Sequence, residues 1–236
     1  MNNRQDRSAP GQTHDRKKSG GRSRNPRHHQ HQDPDVQLSK ALSYVLRHGA
    51  AKLGFQMSSD GFLYVEEILC HPQYKRYSEA DIQRIVETND KCRFSLRKHP
   101  TDGRLQIRAN QGHTVQVEDL ELTPIEISNM PENAVHGTYM RNWPSIKEQG
   151  LSRMSRMHIH LAPGLPGEDE VISGMRKNCD LAIFIDISRA INDGINFFWS
   201  ANKVILTPGN EEGIIPKKYF QKVLQLKPFR CELPLV

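Results

Sequence analysis

Residues 93–108 read RFSLRKHPTDGRLQIR, and this stretch decides the fold of the N-terminal half. Apolar and polar side chains alternate at 93–97 and again at 105–108, a pattern typical of half-buried strands. Between them stands Asp102-Gly103, a pair that readily adopts the positive φ angles of tight hairpin turns. The stretch therefore predicts a β-hairpin.

Short amphipathic helices precede this hairpin. Apolar residues at 38, 41, 42 and 45 have helical spacing, with Asp35 as the predicted cap and Gly49 as the stop. A second short helix follows residues 62–65, and a third begins at Ser78 in a capping-box sequence. Short helices closed by a hairpin predict a winged-helix-like lobe over residues 35–112. Such lobes are common nucleic-acid platforms, although a fold alone does not define a function.

The chain changes character after Gly112. Residues 113–134 include Pro124 and Pro131 among mixed residues, and this composition predicts a linker. Short apolar runs follow, separated by frequent turns, at 135–138, 158–161, 181–187 and 204–206. They predict a second, mostly β lobe over 135–228 and a C-terminal tail over 229–236. The predicted fold class is thus α+β, in two lobes.

The charge of the chain is concentrated at its N-terminus. The formal net charge is +6, from 33 Lys and Arg against 27 Asp and Glu, and residues 1–34 carry +5 of it. Met1 and Ala9 are the only hydrophobic residues there, so the segment buries too little apolar surface to offset the entropy of ordering. The sequence predicts a disordered basic tail over 1–34 and a nearly neutral body. The net charge of this body does not indicate what it binds.

Cysteine usage and hydropathy bear on the compartment. Cys70, Cys92, Cys179 and Cys231 form no CxxC pair, which argues against a disulfide framework and a cysteine-based zinc site. The apolar run at 181–185 is far shorter than the roughly 20 residues of a membrane helix, and no apolar stretch follows the N-terminus. We expect a soluble intracellular protein, in the cytoplasm, the nucleus or both, that is monomeric and has no membrane partner.

Three histidines outside the tail stand in suggestive places. His158 and His160 are two apart on a predicted strand and so project from one face, and His136 lies on another predicted strand. Three imidazoles could hold one metal ion. Alternatively, the histidines make hydrogen bonds within the fold, since no cysteine or carboxylate clusters with them in the sequence. The residues alone leave both interpretations open.

Arginines form the other group of candidate residues. Arg47-His48 falls in the last turn of the first predicted helix, where cations are favourable without any further role. Arg108 leaves a predicted strand, and Arg156 precedes the histidine strand. The sequence contains no P-loop, nucleophile elbow or GxGxxG motif. Because arginine matches phosphate oxygens with a planar fork, an enzyme built on these residues would take an anionic substrate.

Aromatic residues concentrate at 197–199, which read FFW beside a predicted turn. They could form a stacking platform for a base or a nicotinamide ring. They could equally be core aromatics next to a turn, and the composition favours this second interpretation.

Five short motifs stand in an informative order. They are Val45-Leu46-Arg47-His48, residues 107–113 reading IRANQGH, His136-Gly137-Thr138, residues 156–161 reading RMHIHL, and Ser200-Ala201-Asn202. In this order and approximate spacing they resemble the tRNA 2′-phosphotransferase (KptA) family over roughly residues 36–220. One departure is Lys203, where the family usually has glycine after the asparagine.

The resemblance implies a transferase that uses NAD as a co-substrate and no metal. The family removes an internal 2′-phosphate, left in tRNA or other RNA by ligation at a splice junction, in the last step of tRNA splicing. It produces a 2′-OH, nicotinamide and ADP-ribose 1″,2″-cyclic phosphate. The resemblance further implies a winged-helix-like RNA lobe facing a C-terminal NAD lobe of the ADP-ribosyltransferase type.

The resemblance also implies site residues. The family's essential Arg, His, Arg and Arg correspond to Arg47, His48, Arg108 and Arg156. NAD contacts are implied at His136, Gly137, Thr138, His158, His160, Gly174, Arg176 and Ser200.

The chemistry of these residues fits the implied reaction. A phosphomonoester is already anionic near pH 7, so it needs positioning rather than a carboxylate base. We predict that Arg108 and Arg156 stabilise charge on the phosphate in the second step, and that His48 protonates the departing RNA oxygen. Three alternatives remain: a non-enzymatic nucleic-acid-binding protein, an ADP-ribosyltransferase that stops after the first transfer, and a metal-dependent hydrolase.

Overall fold

The computed structural model describes residues 33–168, 174–176 and 178–235. The predicted disordered tail therefore lies, up to residue 32, outside the described residues. Helix α1 spans Pro34–Tyr44, and the Asp33 carboxylate accepts a hydrogen bond from the Asp35 N–H at its start. The prediction of Asp35 as the cap was wrong, because Pro34 already suits the first helical position, where its fixed φ fits and no N–H is needed.

The N-terminal half consists of short helices and one three-stranded sheet. After α1 come a π-helical turn at Val45–Gly49, a 3-10 turn at Ala51–Leu53, β1 (Leu63–Tyr64), α2 (Val65–Cys70), α3 (Glu79–Thr88), β2 (Phe94–Lys98) and β3 (Leu105–Ala109). The predicted hairpin is confirmed, since β2 and β3 pair antiparallel from Phe94 opposite Ala109 to Lys98 opposite Leu105. Strand β1 pairs with the other edge of β3.

One hydrophobic cluster holds this half together. Its buried members come from all three helices and from the hairpin, and they include Leu38, Leu42, Leu46, Ile82 and Ile107. Ser78 caps α3 through a complete capping box with Asp81, as its sequence predicts. The π-helical turn follows α1 directly and buries Val45 and Leu46 in the same cluster.

The C-terminal half is mostly β. Its elements are β4 (Leu122–Pro124), a 3-10 turn at Ile127–Asn129, β5 (Val135–Thr138), a 3-10 turn at Met140–Asn142, α4 (Trp143–Gln149), β6 (Leu151–Ser152), β7 (Ile159–Leu161), β8 (Leu181–Ile185), α5 (Ile187–Asn192), β9 (Phe198–Ser200), β10 (Ile205–Thr207), β11 (Ile214–Ile215), a 3-10 turn at Lys217–Tyr219, β12 (Phe220–Gln225) and β13 (Cys231–Leu233). Two four-stranded antiparallel sheets have the orders β4-β9-β10-β7 and β13-β12-β8-β5, and β11 pairs with β6.

Strand β8 is buried on both faces. Leu181, Ile183 and Ile185 belong to the larger hydrophobic cluster of this half, whereas Ala182 and Phe184 belong to a smaller one. Alternate side chains of a strand point to opposite faces, so this one strand supplies both clusters. The arrangement explains why the sequence of β8 is continuously apolar rather than alternating.

The segments predicted as a linker and as a tail each contain a strand. The predicted linker, 113–134, contributes β4, which pairs with β9 at the edge of a sheet. Pro124 ends that strand, and proline is tolerated at an edge because no ladder N–H is needed there. The predicted tail, 229–236, contributes β13, which pairs with β12. The histidine strand also differs slightly, since β7 begins at Ile159 and leaves His158 just outside it.

The aromatic segment at 197–199 is part of the core rather than a free platform. Phe197 is buried, and Trp199 packs against the same cluster while its Nε1–H donates to the Asn129 carbonyl, 3.0 Å away. In the turn that follows, Lys203 has a φ of 55°. A residue other than glycine rarely adopts that conformation, which gives a physical reason for the glycine usual in the resembling family.

The described elements place helices mainly in the first half and antiparallel strands mainly in the second, in agreement with an α+β class. The chain from Asp33 onward forms one compact unit, although its two halves have separate hydrophobic clusters. In the described part of the chain, no helix is long and apolar enough to cross a membrane.

Candidate active site

The π-helical turn after α1 presents the first two candidate residues. Val45 and Leu46 are buried in the core, and Arg47 and His48, which follow them, are half-buried. A π-helical turn is rare and occurs frequently at functional sites. Here the core side chains fix the turn, and the turn fixes where the arginine and the histidine leave the backbone.

The segment after β3 returns to this turn. The Thr114 N–H donates to the Arg47 carbonyl over 2.9 Å, and the Thr114 hydroxyl lies 2.9 Å from Nδ1 of His48. Gly112 has a φ of +88°, and a Cβ there would lie only 3.5 Å from Cδ and Nε of Arg47. Two motifs more than 60 residues apart therefore meet.

A cleft opens beside this turn. It consists of two adjoining cavities of about 580 Å³ and 410 Å³. The residues that line both are His136, Thr138, Asn142, Arg156, His160 and Arg176. His158 lines the larger cavity only, and the smaller one is further lined by Arg47, Lys91, Arg93, Gln111, Gly137 and Gly174. The cleft thus brings together most of the predicted site residues.

Positive charge dominates this cleft. Among the described residues that line it there are several arginines but no Asp or Glu. Nε and Nη2 of Arg47 are buried and have no hydrogen-bond partner among the described residues. Burial, followed by the charges of Arg93 and Arg156, lowers the pKa of Arg47 to about 10, so it stays charged near pH 7. A buried cation without a protein partner indicates a place for an anion.

The histidines of the cleft are held in their neutral forms. Nδ1 of His136 lies 3.0 Å from the His160 carbonyl, to which it donates, and this contact leaves Nε2 as an acceptor. Burial, followed by the charge of Arg156, lowers the pKa of His160 to about 3. Burial also lowers the pKa of His136 and of His158. His136 therefore makes the hydrogen bond within the fold that one of the two interpretations predicts.

The metal interpretation receives no support from this geometry. In residues 33–168, 174–176 and 178–235, no group of three His, Cys, Asp or Glu side chains is placed to hold a metal ion.

Three predicted residues do not line the cleft: Arg108, Ser200 and His48, which lines a groove that shares Arg47 and Arg93 with it. The Arg108 guanidinium is buried, forms an ion pair with the exposed Glu121 carboxylate and lies 4.8 Å from the centre of the Phe62 ring. Ser200 is also buried, where its hydroxyl accepts from the Val204 N–H and bonds to Asn202. Ser200 thus organises the turn after β9.

Sequence reasoning missed Arg93 and Lys91, which line the smaller cavity of the cleft. Neither belongs to a motif. The hairpin register could have revealed Arg93, because the Asn110 N–H donates to the Arg93 carbonyl, 2.9 Å away, just beyond the paired strands. Counting outward from Asp102-Gly103 places Arg93 beside the RANQGH segment.

Taken together, the fold and the cleft define an enzyme-like site for a phosphate-bearing substrate, lined by guanidinium groups and neutral imidazoles. The chain belongs to the family described as RNA 2′-phosphotransferase, Tpt1 / KptA family, whose model matches residues 33–209.

The alignments with named relatives cover most of the chain. A protein of Danio rerio named tRNA 2′-phosphotransferase 1 is 59% identical over 218 residues, which are 91% of this chain and 97% of the relative. The human protein of the same name is 53% identical and aligns over 92% of this chain and 86% of its own length. The Saccharomyces cerevisiae tRNA 2′-phosphotransferase is 41% identical, with 80% of this chain and 84% of that protein covered. The similarity therefore identifies a transferase.

Proposed function

We propose that this protein is an NAD-dependent RNA 2′-phosphotransferase. It moves the splice-junction 2′-phosphate of ligated tRNA to NAD, giving 2′-OH RNA, ADP-ribose 1″,2″-cyclic phosphate and nicotinamide, as the last step of tRNA splicing. The observation that carries the proposal is the Arg47 guanidinium, buried without a partner among the described residues in a cleft whose described lining has no carboxylate. Its neighbours Arg93 and Arg156 leave an excess of positive charge that a dianionic phosphate would balance.

The residues of the cleft fit NAD as the co-substrate. Gly174 has a φ of +94°, and a Cβ there would come within 2.9 Å of the Leu161 carbonyl oxygen, so the backbone forms a close wall. Arg176 is placed to pair with a diphosphate, and the His160 Nε2, buried without a partner among the described residues, offers a polar contact. When bound, NAD supplies an electrophilic ribose carbon with nicotinamide as its leaving group.

The protein's own residues perform three tasks in this proposal. Arg47 and Arg156 hold the RNA phosphate and stabilise the charge on its oxygens. His48 holds and delivers a proton at the RNA 2′-oxygen that departs. Burial, followed by the charges of Arg47 and Arg156, lowers the pKa of His48, which makes it a stronger acid than an ordinary histidine. The walls formed by His136, Gly137 and Thr138 position the co-substrate.

Arg108 enters the proposal through the family resemblance. To contact the phosphate, its guanidinium would exchange the Glu121 carboxylate for the phosphate oxygens, which present a similar anionic pair to the planar fork. If Arg108 acts in the second step, Arg108→Ala accumulates RNA that carries ADP-ribose on its 2′-phosphate. Loss of the first step without such accumulation would contradict this role.

We also propose the finer architecture that the resemblance implies. The N-terminal half is a winged-helix-like RNA lobe, supported by its short helices packed on the β1-β3-β2 sheet. The C-terminal half is an NAD lobe of the ADP-ribosyltransferase type, supported by its antiparallel sheets. In this proposal the lobes extend over 35–112 and 135–228, and the protein acts as an intracellular monomer.

One experiment tests the activity. An RNA with a single internal 2′-phosphate is incubated with and without NAD, in the presence and absence of EDTA. We expect the phosphate to be lost only with NAD, with nicotinamide released in equal amount and no effect of EDTA. Phosphate retained under every condition would refute the proposal.

The same assay separates the alternatives. Turnover that stops at RNA carrying ADP-ribose would identify an ADP-ribosyltransferase. RNA binding without any release of nicotinamide would identify a binding protein. Loss of phosphate without NAD and abolished by EDTA would identify a metal-dependent hydrolase.

A further inference from the structure

Thr114 stands directly after the RANQGH motif and contacts the π-helical turn 66 residues earlier. Its hydroxyl oxygen lies 2.9 Å from Nδ1 of His48 and 3.3 Å from the Arg47 carbonyl oxygen. The contact involves one nitrogen of the imidazole and leaves the other, Nε2, available for chemistry.

The backbone of this segment is held from two sides. Thr114 N–H donates to the Arg47 carbonyl over 2.9 Å, and the Met157 N–H donates to the His113 carbonyl over 3.1 Å. One bond ties the segment to the turn that carries Arg47 and His48. The other ties it to the residue after Arg156. The Thr114 hydroxyl therefore starts from a backbone position fixed relative to both arginines.

A hydroxyl can serve the imidazole in both of its protonation states. The Thr114 hydroxyl donates its own hydrogen to the Arg47 carbonyl, so its oxygen is available to accept from Nδ1–H of His48. A residue that takes up and releases a proton passes through both states. When the exchange occurs at Nε2, Nδ1 carries its hydrogen in both states, so the same contact with the hydroxyl oxygen is kept throughout.

From this geometry we propose that Thr114 is a positioning residue for His48: its hydroxyl engages Nδ1 in both protonation states, so that Nε2 is the nitrogen that exchanges a proton with the RNA 2′-oxygen. The assignment rests on the proposed function for the identity of the substrate. The contact itself is a property of the protein alone.

Several charged or titratable groups surround His48 and bear on its pH dependence. The Tyr44 ring, on α1, is centred 6.3 Å away. His48 lines a polar groove together with Asp35, Lys40, Arg47, Asp90 and Arg93. Burial, followed by the charges of Arg47 and Arg156, lowers the pKa of His48. His113 is also near, since the charge of His48 contributes to the lowered pKa of His113 after burial and the charge of Arg47. Among these neighbours, the cationic Arg47 and Arg156 disfavour the imidazolium. The Thr114 oxygen, by accepting from Nδ1–H, opposes them.

Two matched variants test the proposal. Thr114→Val keeps the shape of the side chain and removes the hydroxyl, whereas Thr114→Ser keeps the hydroxyl. We expect Thr114→Val to lower kcat on 2′-phosphorylated RNA by about tenfold or more, since a positioned general acid contributes about 10²–10⁴-fold and loses part of this when its orientation is released. We expect Thr114→Ser to restore most of kcat. The KM for NAD and the melting temperature should stay close to wild type in both.

The pH profile separates positioning from a merely structural role. Without the acceptor at Nδ1, the imidazolium of His48 is less favourable and its pKa falls. Because a general acid works in its protonated form, the alkaline limb of the kcat profile should move to lower pH in Thr114→Val and stay in place in Thr114→Ser. An unchanged profile together with an unchanged kcat in Thr114→Val would overturn the proposal.

NMR titration of the free protein gives a readout that does not need the reaction. The His48 ring signal, assigned by its loss in His48→Gln, should titrate at a lower pH in Thr114→Val than in wild type. An identical titration in both would overturn the role of Thr114 even if the enzyme is active. Absence of activity in the wild-type protein would instead refute the proposed function, so the two failures are distinguishable.

Discussion

At the scale of single residues, the planar shape of the Arg47 guanidinium is as important as its charge. Two of its nitrogens are buried without a partner among the described residues, and Gly112 lies against its side chain. Lysine would supply a point charge and no fork, so it cannot replace the same set of hydrogen bonds.

We therefore expect Arg47→Lys to lower kcat/KM for 2′-phosphorylated RNA by at least about 100-fold, the usual cost of losing a group that stabilises developing charge. Steady-state kinetics would measure this. The matched control is Arg76→Lys, which lies on the exposed surface beside Tyr77 and should leave the kinetics unchanged. Near-wild-type activity in Arg47→Lys would show that charge alone suffices.

Lys203 offers a second test at this scale, on stability. A φ of 55° destabilises the folded state by about 1–2 kcal/mol for a residue with a Cβ. Glycine avoids this strain, but it stabilises the unfolded chain by about 0.4–1 kcal/mol through its greater conformational entropy. We expect Lys203→Gly to be neutral or to stabilise the fold by up to about 1 kcal/mol in urea unfolding. Lys203→Val should destabilise it, because a β-branched residue tolerates this conformation least. A clear loss of stability in Lys203→Gly would contradict the strain.

The sequence predicts most individual site residues but not their grouping. Arg47, Arg156 and the histidines stand in recognisable motifs, and the cleft unites them. Arg93 and Thr114 lie outside the residues singled out from those motifs, because their roles depend on where the folded chain returns. Arg108 shows the converse, since its motif is clear while its guanidinium pairs with Glu121 away from the cleft lining.

At the scale of elements, strand β5 packs closely against the wall of the cleft. A Cβ on Gly137 would overlap Cγ and Sδ of Met175, so the methionine would have to move. Met175 stands between Gly174 and Arg176, which both line the cleft. A change inside β5 is thereby transmitted to the surface proposed for the co-substrate.

We expect Gly137→Ala to raise the KM for NAD several-fold and to destabilise the fold by about 1–3 kcal/mol, the usual cost of overpacking. Isothermal titration with NAD and thermal melting would measure both effects. Adding Met175→Ala should recover part of each, because it makes room for the new methyl group. An unchanged KM in Gly137→Ala would show that the Met175 segment adapts freely.

The elements that the sequence predicts are those with a strong local signal. The β2–β3 hairpin follows from alternation and Asp102-Gly103, and α3 from its capping box. Strand β4 has only three residues, and its partner β9 lies more than 70 residues further on, so no local pattern reveals it. The π-helical turn is likewise invisible, because its apolar residues continue the spacing of α1.

At the scale of the whole molecule, buried histidines make the fold sensitive to acid. Burial, followed by the charge of Arg47, lowers the pKa of His113 to about 4, and burial lowers that of His160 to about 3. The unfolded chain returns both to about 6.5 and so binds more protons between about pH 4 and 6.5. Stability is therefore present above pH 6.5 and is lost as the pH falls through this window.

We expect the melting temperature to fall as the pH is lowered from 7 to 5. Asp81 and Asp102 have pKa values near 2, so their protonation weakens the fold only at lower pH. They therefore do not contribute to the change in melting temperature between pH 7 and pH 5. The variant His113→Leu should show a flatter pH dependence over the same interval. A melting temperature equal at pH 7 and pH 5 would contradict the neutral, buried state of these histidines.

The residues of the two hydrophobic cores are also synthesised one core after the other. Every residue of the first cluster precedes residue 110, and both residues of the contact between Thr114 and the Arg47 carbonyl are synthesised before Arg156. Domains emerge from the ribosome N-terminal part first. A nascent chain would thus carry the Arg47–His48 half of the site before the histidine-bearing strands exist, and translation itself sets the sequence in which the two walls of the cleft meet.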